Sequence, residues 1–147
     1  MNPYDAEIIN DLLAVCYEGE TFYREAVEYT RIPAMQPAFH RMAAIKAEII
    51  NDLKPCMLRG ECNHQRNVML VYGIQQSYKA IKAELAGGDD KQAVVRIQVL
   101  EQCVLNLMRD ALEKIKTDEL HDLLKMWYAT SDSAYKAIRS KSPLLAA

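Results

Sequence analysis

Apolar residues recur every three or four positions along almost the whole chain, the spacing of a helix with one wide buried face. In the first segment two such rows run side by side. One holds Ile8, Leu12, Val15, Gly19, Phe22 and Ala26; the other holds Ile9, Leu13, Cys16, Glu20, Tyr23 and Val27. Asn2-Pro3 predicts the start, as an N-cap followed by proline at the first helical position, with Asp5 serving the first turn. Ile32-Pro33 predicts the end, because a residue before proline is pushed out of the α region.

A second helix is expected from about Ala34 to Leu58, carrying Phe39, Met42, Ile45, Ile49, Leu53 and Cys56 on one face, with Pro37 requiring either an irregular first turn or a regular helix that begins there. Gly60 suits the position after its end, and a polar loop to Asn67 carries Cys62 and His64. The third helix, about Asn67 to Ala86, keeps Val71, Ile74, Tyr78, Ile81 and Leu85 in register. Gly87-Gly88-Asp89-Asp90 is the sharpest break, and Asp89 with Gln92 three residues on reads as a capping box. The fourth helix carries Val94, Ile97, Glu101, Val104, Met108 and Leu112. Thr117 caps the fifth, which buries Leu120, Leu124, Trp127, Ala134 and Ile138 and is expected to stop at Ser142-Pro143.

No segment alternates with period two, so the fold class is all-α. Five helices suit a four-helix bundle in which the shorter third helix is the additional connecting element. The chain of 147 residues reads as one domain over 1–147. Its 18 basic against 20 acidic residues leave no excess positive field for nucleic acid. The longest uncharged apolar-rich stretch, Asn67 to Tyr78, is too short to span a bilayer, so no membrane role is expected. The start shows no secretory pattern, which makes the expected compartment the cytoplasm. Neither a phosphate loop nor a nucleophile motif occurs.

Polar residues on apolar rows carry the candidate chemistry. Glu20, Asp52, Gln75, Gln98 and Glu101 all fall there, and a carboxylate inside a bundle needs a partner. Two solutions stand open. A pair of metal ions could take Glu20 and Glu101 as ligands, or tyrosine hydroxyls, glutamines and the Arg24 or Lys46 side chains could form a hydrogen-bonded layer. The Glu-x-x-His pairs that a di-iron bundle requires have only formal matches, Glu61 with His64 in a loop and Asp118 with His121 at a helix start. Cys56, Cys62 and His64 offer an incomplete zinc set, or a pair of oxidisable thiols. Cys16 and Cys103 lie on apolar stripes and read as small buried hydrophobes. Most of the 8 tyrosines fall at core or half-core spacing.

Three strings resemble a known family: Glu18-Gly19-Glu20-Thr21-Phe22-Tyr23-Arg24-Glu25-Ala26, Ala86-Gly87-Gly88-Asp89-Asp90-Lys91 and Arg109-Asp110-Ala111-Leu112-Glu113. They are similar to the bacterial ferritin-like proteins catalogued as domain of unknown function 2383, and the similarity runs from Ile9 to Arg139. The resemblance implies a ferritin-like bundle in a bacterial cytoplasm and no established reaction. It also implies ligand positions at which this chain departs, with Gln75 in place of a histidine, Gln98 in place of a glutamate, and Thr130 and Tyr135 in place of a glutamate and a histidine. Glu18, Glu20 and Glu101 remain, with Asp52 as an acidic position on the second helix.

The leading expectation is therefore a ferritin-like bundle of non-enzymatic or not-yet-assigned role, with a degenerate inter-helix carboxylate site, no cofactor, and action through its surface or through assembly, as in a homo-oligomeric dimer. The alternative is a metal-dependent oxidase or iron-handling protein in which Glu20, Asp52, Glu101 and Glu18 hold iron or manganese. A third reading is an interaction module that responds to oxidation through Cys56 and Cys62.

Overall fold

A computed structural model describes residues 3–58 and 66–146. Among the described residues there are five α-helices and no strand. They are α1 (Pro3–Tyr29), α2 (Gln36–Leu58), α3 (Val68–Ala86), α4 (Asp90–Lys114) and α5 (Asp118–Ala146). The expected cap at Asn2, and the loop residues Gly60, Glu61, Cys62 and His64, lie outside the described residues.

Proline sets the first connection. After α1 the chain makes one 3-10 turn, Pro33–Met35, before the regular helix begins at Gln36, so Pro37 sits in the first turn, where it has no helical bond to break. Two later prolines do not end their helices. α2 runs through Pro55, and α5 continues through Pro143 to Ala146, past the stop expected at Ser142-Pro143. Each stands in the last turn of its helix, so the backbone hydrogen bond it cannot make is lost only at that end. At the α3–α4 turn Gly88 has φ +89, and the Arg31 guanidinium lies where its Cβ would be. Asp89 accepts a hydrogen bond from Gln92 N at 3.3 Å, the N-cap half of the expected capping box, while its own amide donates to Glu84 O at 3.0 Å.

The helices pack in a closed order. α1 lies against α2 and α3, α3 against α4, α4 against α5, and α5 against α2, with α1 and α4 touching across the middle. Helix α3 is therefore a wall of the core as well as a connection, and it buries Val71, Ile74, Tyr78, Ile81 and Leu85.

Three buried aspartates fasten the ends. Asp5 sits in the first turn of α1, but its carboxylate accepts from the Lys116 and Thr117 amides at 3.2 and 3.1 Å and from the Thr117 hydroxyl at 2.6 Å. Asp11 accepts from the Arg66 and Asn67 amides at 3.0 Å each and so caps α3 from another helix. Burial pushes the Asp11 carboxyl up, and those two amides pull it back. Asp90 accepts from Arg31 N at 2.8 Å and Thr30 Oγ1 at 3.1 Å, joining the end of α1 to the start of α4. Each aspartate satisfies amides that a helix end or turn leaves without a partner.

Candidate functional site

The site begins with a missing side chain. Gly19 lies in the interior of α1 on a buried row, where glycine costs about 1 kcal/mol against alanine. A Cβ there would stand 2.6 Å from Lys46 Cδ, 2.8 Å from Lys46 Cε and 3.0 Å from the Tyr78 hydroxyl. The gap is the passage through which the Lys46 stem crosses from α2 towards α4.

At its far end the Lys46 ammonium meets Glu101 Oε1 at 3.1 Å, with both side chains about 5% exposed or less. The other carboxylate oxygen accepts two phenols, Tyr23 from α1 at 2.7 Å and Tyr78 from α3. Four helices thus converge on one carboxylate, and both of its oxygens are engaged by protonated donors. The ammonium also lies 5.9 Å from the centre of the Tyr23 ring and 6.0 Å from that of Tyr78, within cation–π range. Phe22 packs edge-on to Tyr23 at 4.9 Å and tilted on Tyr78 at 5.2 Å, which fixes both rings.

Burial, and then the negative charge of Glu101, push both phenols well above the ordinary tyrosine range. Both remain protonated and serve as hydrogen-bond donors. Cys16, buried beside this cluster, is pushed up to about 11 by burial, with the Lys46 charge pulling against it. Its thiol is a packing group at neutral pH.

The four acidic residues singled out from the sequence do not converge. Glu101 is the buried centre. Glu20 is half-buried and pairs with Arg24 one turn along α1. Asp52 accepts from the Trp127 indole nitrogen at 2.8 Å, tying α2 to α5. Glu18 lines a shallow groove between α1 and α3, with Glu25, Lys79 and Lys82 on the rim and Phe22 and Tyr78 on the floor. Among the described residues no three His, Cys, Asp or Glu side chains lie together as a metal-holding group. The donor set at the centre does not fit a metal pair either. One carboxylate faces one ammonium and two phenols, and a metal cation would first have to displace the ammonium.

Two further expectations change. Cys103 is exposed on the outer side of α4, because a row at the edge of an apolar stripe can turn either way. Only Tyr23, Tyr78 and Tyr135 of the tyrosines are buried, while Tyr4, Tyr17, Tyr29 and Tyr72 are exposed. Gly19 was the signal that a residue-by-residue reading passes over. A glycine on a buried row of one helix, together with a lysine on the buried row Met42, Lys46, Ile49, Leu53 of the next, marks a side chain threading between them.

A family model described as Domain of unknown function (DUF2383) matches residues 5–114, which include Gly19, Lys46, Tyr78 and Glu101. No curated protein and no solved structure gives a match.

Proposed function

The chain belongs to the family described as Domain of unknown function (DUF2383), and we propose that it is a non-enzymatic ferritin-like four-helix bundle whose inter-helix site holds an ammonium where related sites would hold metal. In this reading α1, α2, α4 and α5 form the bundle and α3 is the added connecting helix. The protein acts through its surface and as a homo-oligomer in a bacterial cytoplasm. No helix among the described residues is long and apolar enough to cross a membrane.

One observation carries the reading, the Lys46 ammonium on Glu101 Oε1. A buried carboxylate must be compensated, and a lysine reaching it through the Gly19 gap does so at the cost of one glycine in a helix. The charges at the centre then sum close to zero without a bound ion. A buried ammonium–carboxylate pair ringed by phenols specifies how α1, α2, α3 and α4 meet.

Elemental analysis of the purified, untagged protein, after chelation and add-back of iron or manganese, tests this. The expected result is no stoichiometric metal and an unchanged thermal midpoint on add-back. About two equivalents of iron or manganese per chain, as a di-metal bundle holds, lost in Glu101→Gln, would overturn the reading in favour of a metal-dependent oxidase or iron-handling protein.

A further inference from the structure

The stretch from Asn67 to Tyr78, uncharged throughout, is half outside the core. Its apolar side chains face solvent in a cluster, with Met69 at 81% exposure, Tyr72 at 57% and Val68 at 55%. On α4, Val99 is 64% exposed. Between the two helices runs a groove lined by Gln76, Ser77, Ala80, Val99 and Cys103. Of the charges that border this face, Arg96 pairs with Glu84 and Lys82 with Glu25, while Lys79 is exposed at its edge towards α1. Exposed helix surface depleted of charge and carrying Met and Tyr has the composition of the core of an interface.

The order of residues says what covers it. The outermost row of α3 is Met69, Tyr72, Gln76, Ala80 and Ala83, all exposed. It runs from large side chains to small ones at spacings of three or four that read the same in either direction from Gln76. Two copies of α3 laid antiparallel about Gln76 set Met69 of one copy opposite Ala83 of the other, and Tyr72 opposite Ala80. Met69 and Tyr72 each meet an alanine, as ridges-into-grooves packing favours, and each of these contacts occurs twice, as a two-fold interface requires. No charged residue of the row faces its like, because the row contains none.

α3 and the adjoining part of α4 present a strip about 28 Å by 20 Å. Side-chain relief raises its accessible area towards the ~800 Å² per partner of a standard stable interface.

We propose that the α3–α4 face is a two-fold homodimer interface, with Gln76 near its axis and Tyr72 of each copy packed on Ala80 of the other. The inference rests on the assembly half of the proposed function and names its surface.

Sedimentation equilibrium of the full chain tests it together with cross-linking. Wild type is expected to show the mass of two chains, and Ala80→Glu the mass of one, with unchanged helical circular dichroism. In a Cys103→Ser background, Gln76→Cys is expected to form a disulfide-linked dimer on mild oxidation, while the background alone does not. A dimer that survives Ala80→Glu, with Gln76→Cys left uncross-linked, overturns this interface and leaves homo-oligomeric assembly standing. A single-chain mass for wild type, alone or with a different protein bound, overturns both.

Discussion

Lys46 Nζ and Glu101 Oε1 lie 3.1 Å apart across 55 positions of sequence, and neither side chain reaches solvent to any useful extent. Removing one partner leaves the other charge buried alone. Lys46→Met is expected to lower unfolding free energy by about 3–5 kcal/mol, measured by urea denaturation. Adding Glu101→Gln to that variant removes the stranded charge while keeping an acceptor for the phenols, and should recover at least half of the loss. A single Lys46→Met costing no more than an exposed ion pair, about 0–1 kcal/mol, would show that the pair is not dry.

Gly19→Ala gives a sharper test because two effects oppose each other. Helix propensity alone favours alanine by about 1 kcal/mol, but the new methyl would stand 2.6 Å from Lys46 Cδ and 3.0 Å from the Tyr78 hydroxyl. The variant is expected to be destabilised. In a Lys46→Ala background most of the obstructing stem is gone, and the same substitution should become neutral or stabilising. The sign change in this double-mutant cycle is the result to look for; additive effects would mean that Lys46 does not cross at Gly19.

Tyr23 and Tyr78 govern behaviour in alkali. Their folded-state pKa values lie above the unfolded value, so their contribution is fully present below about pH 10. It is lost as the pH rises through the raised values and phenolate forms. An ultraviolet titration of the folded protein should therefore leave two of the 8 tyrosines un-ionised until the chain unfolds. Tyr23→Phe together with Tyr78→Phe should abolish that late phase.

The thiols should separate cleanly. Cys16 is buried and pushed up to about 11, whereas Cys103 is exposed. Iodoacetamide at neutral pH should alkylate Cys103 and leave Cys16 untouched until denaturant is added. Peptide mass spectrometry reads both sites at once, and early labelling of Cys16 would indicate that the centre opens in the native state.

Asp5 holds the start of α5 from the far end of the sequence through the Lys116 and Thr117 amides. Asp5→Ala is expected to cost about 2 kcal/mol, at the upper end for a lost helix cap. It should also raise hydrogen exchange at the first turn of α5 more than in the middle of α4.

Local features of the chain determined the helices themselves. The burial rows of α1, the cap from Asp89 to Gln92, the break at Gly87-Gly88 and the closure at Ile32-Pro33 each depend on residues within a turn or two of one another. Such features are legible because helix periodicity and capping are short-range physics. The same rows singled out Glu101 as a buried carboxylate in need of a partner, and Lys46 as one of several that could supply it. Tertiary structure alone chose among them. Which polar members of two rows meet depends on how far the helices slide and rotate against each other, and packing across the whole core sets that register. Thus Glu20 turns to Arg24, Asp52 to Trp127, and Glu101 to Lys46, Tyr23 and Tyr78. Asp11 and Asp90 reach helix ends and turns about sixty residues away in sequence, a distance over which no local pattern acts. Most helix positions and buried rows are legible because neighbouring residues set them, whereas which charges meet depends on residues far apart in sequence that only the fold brings together.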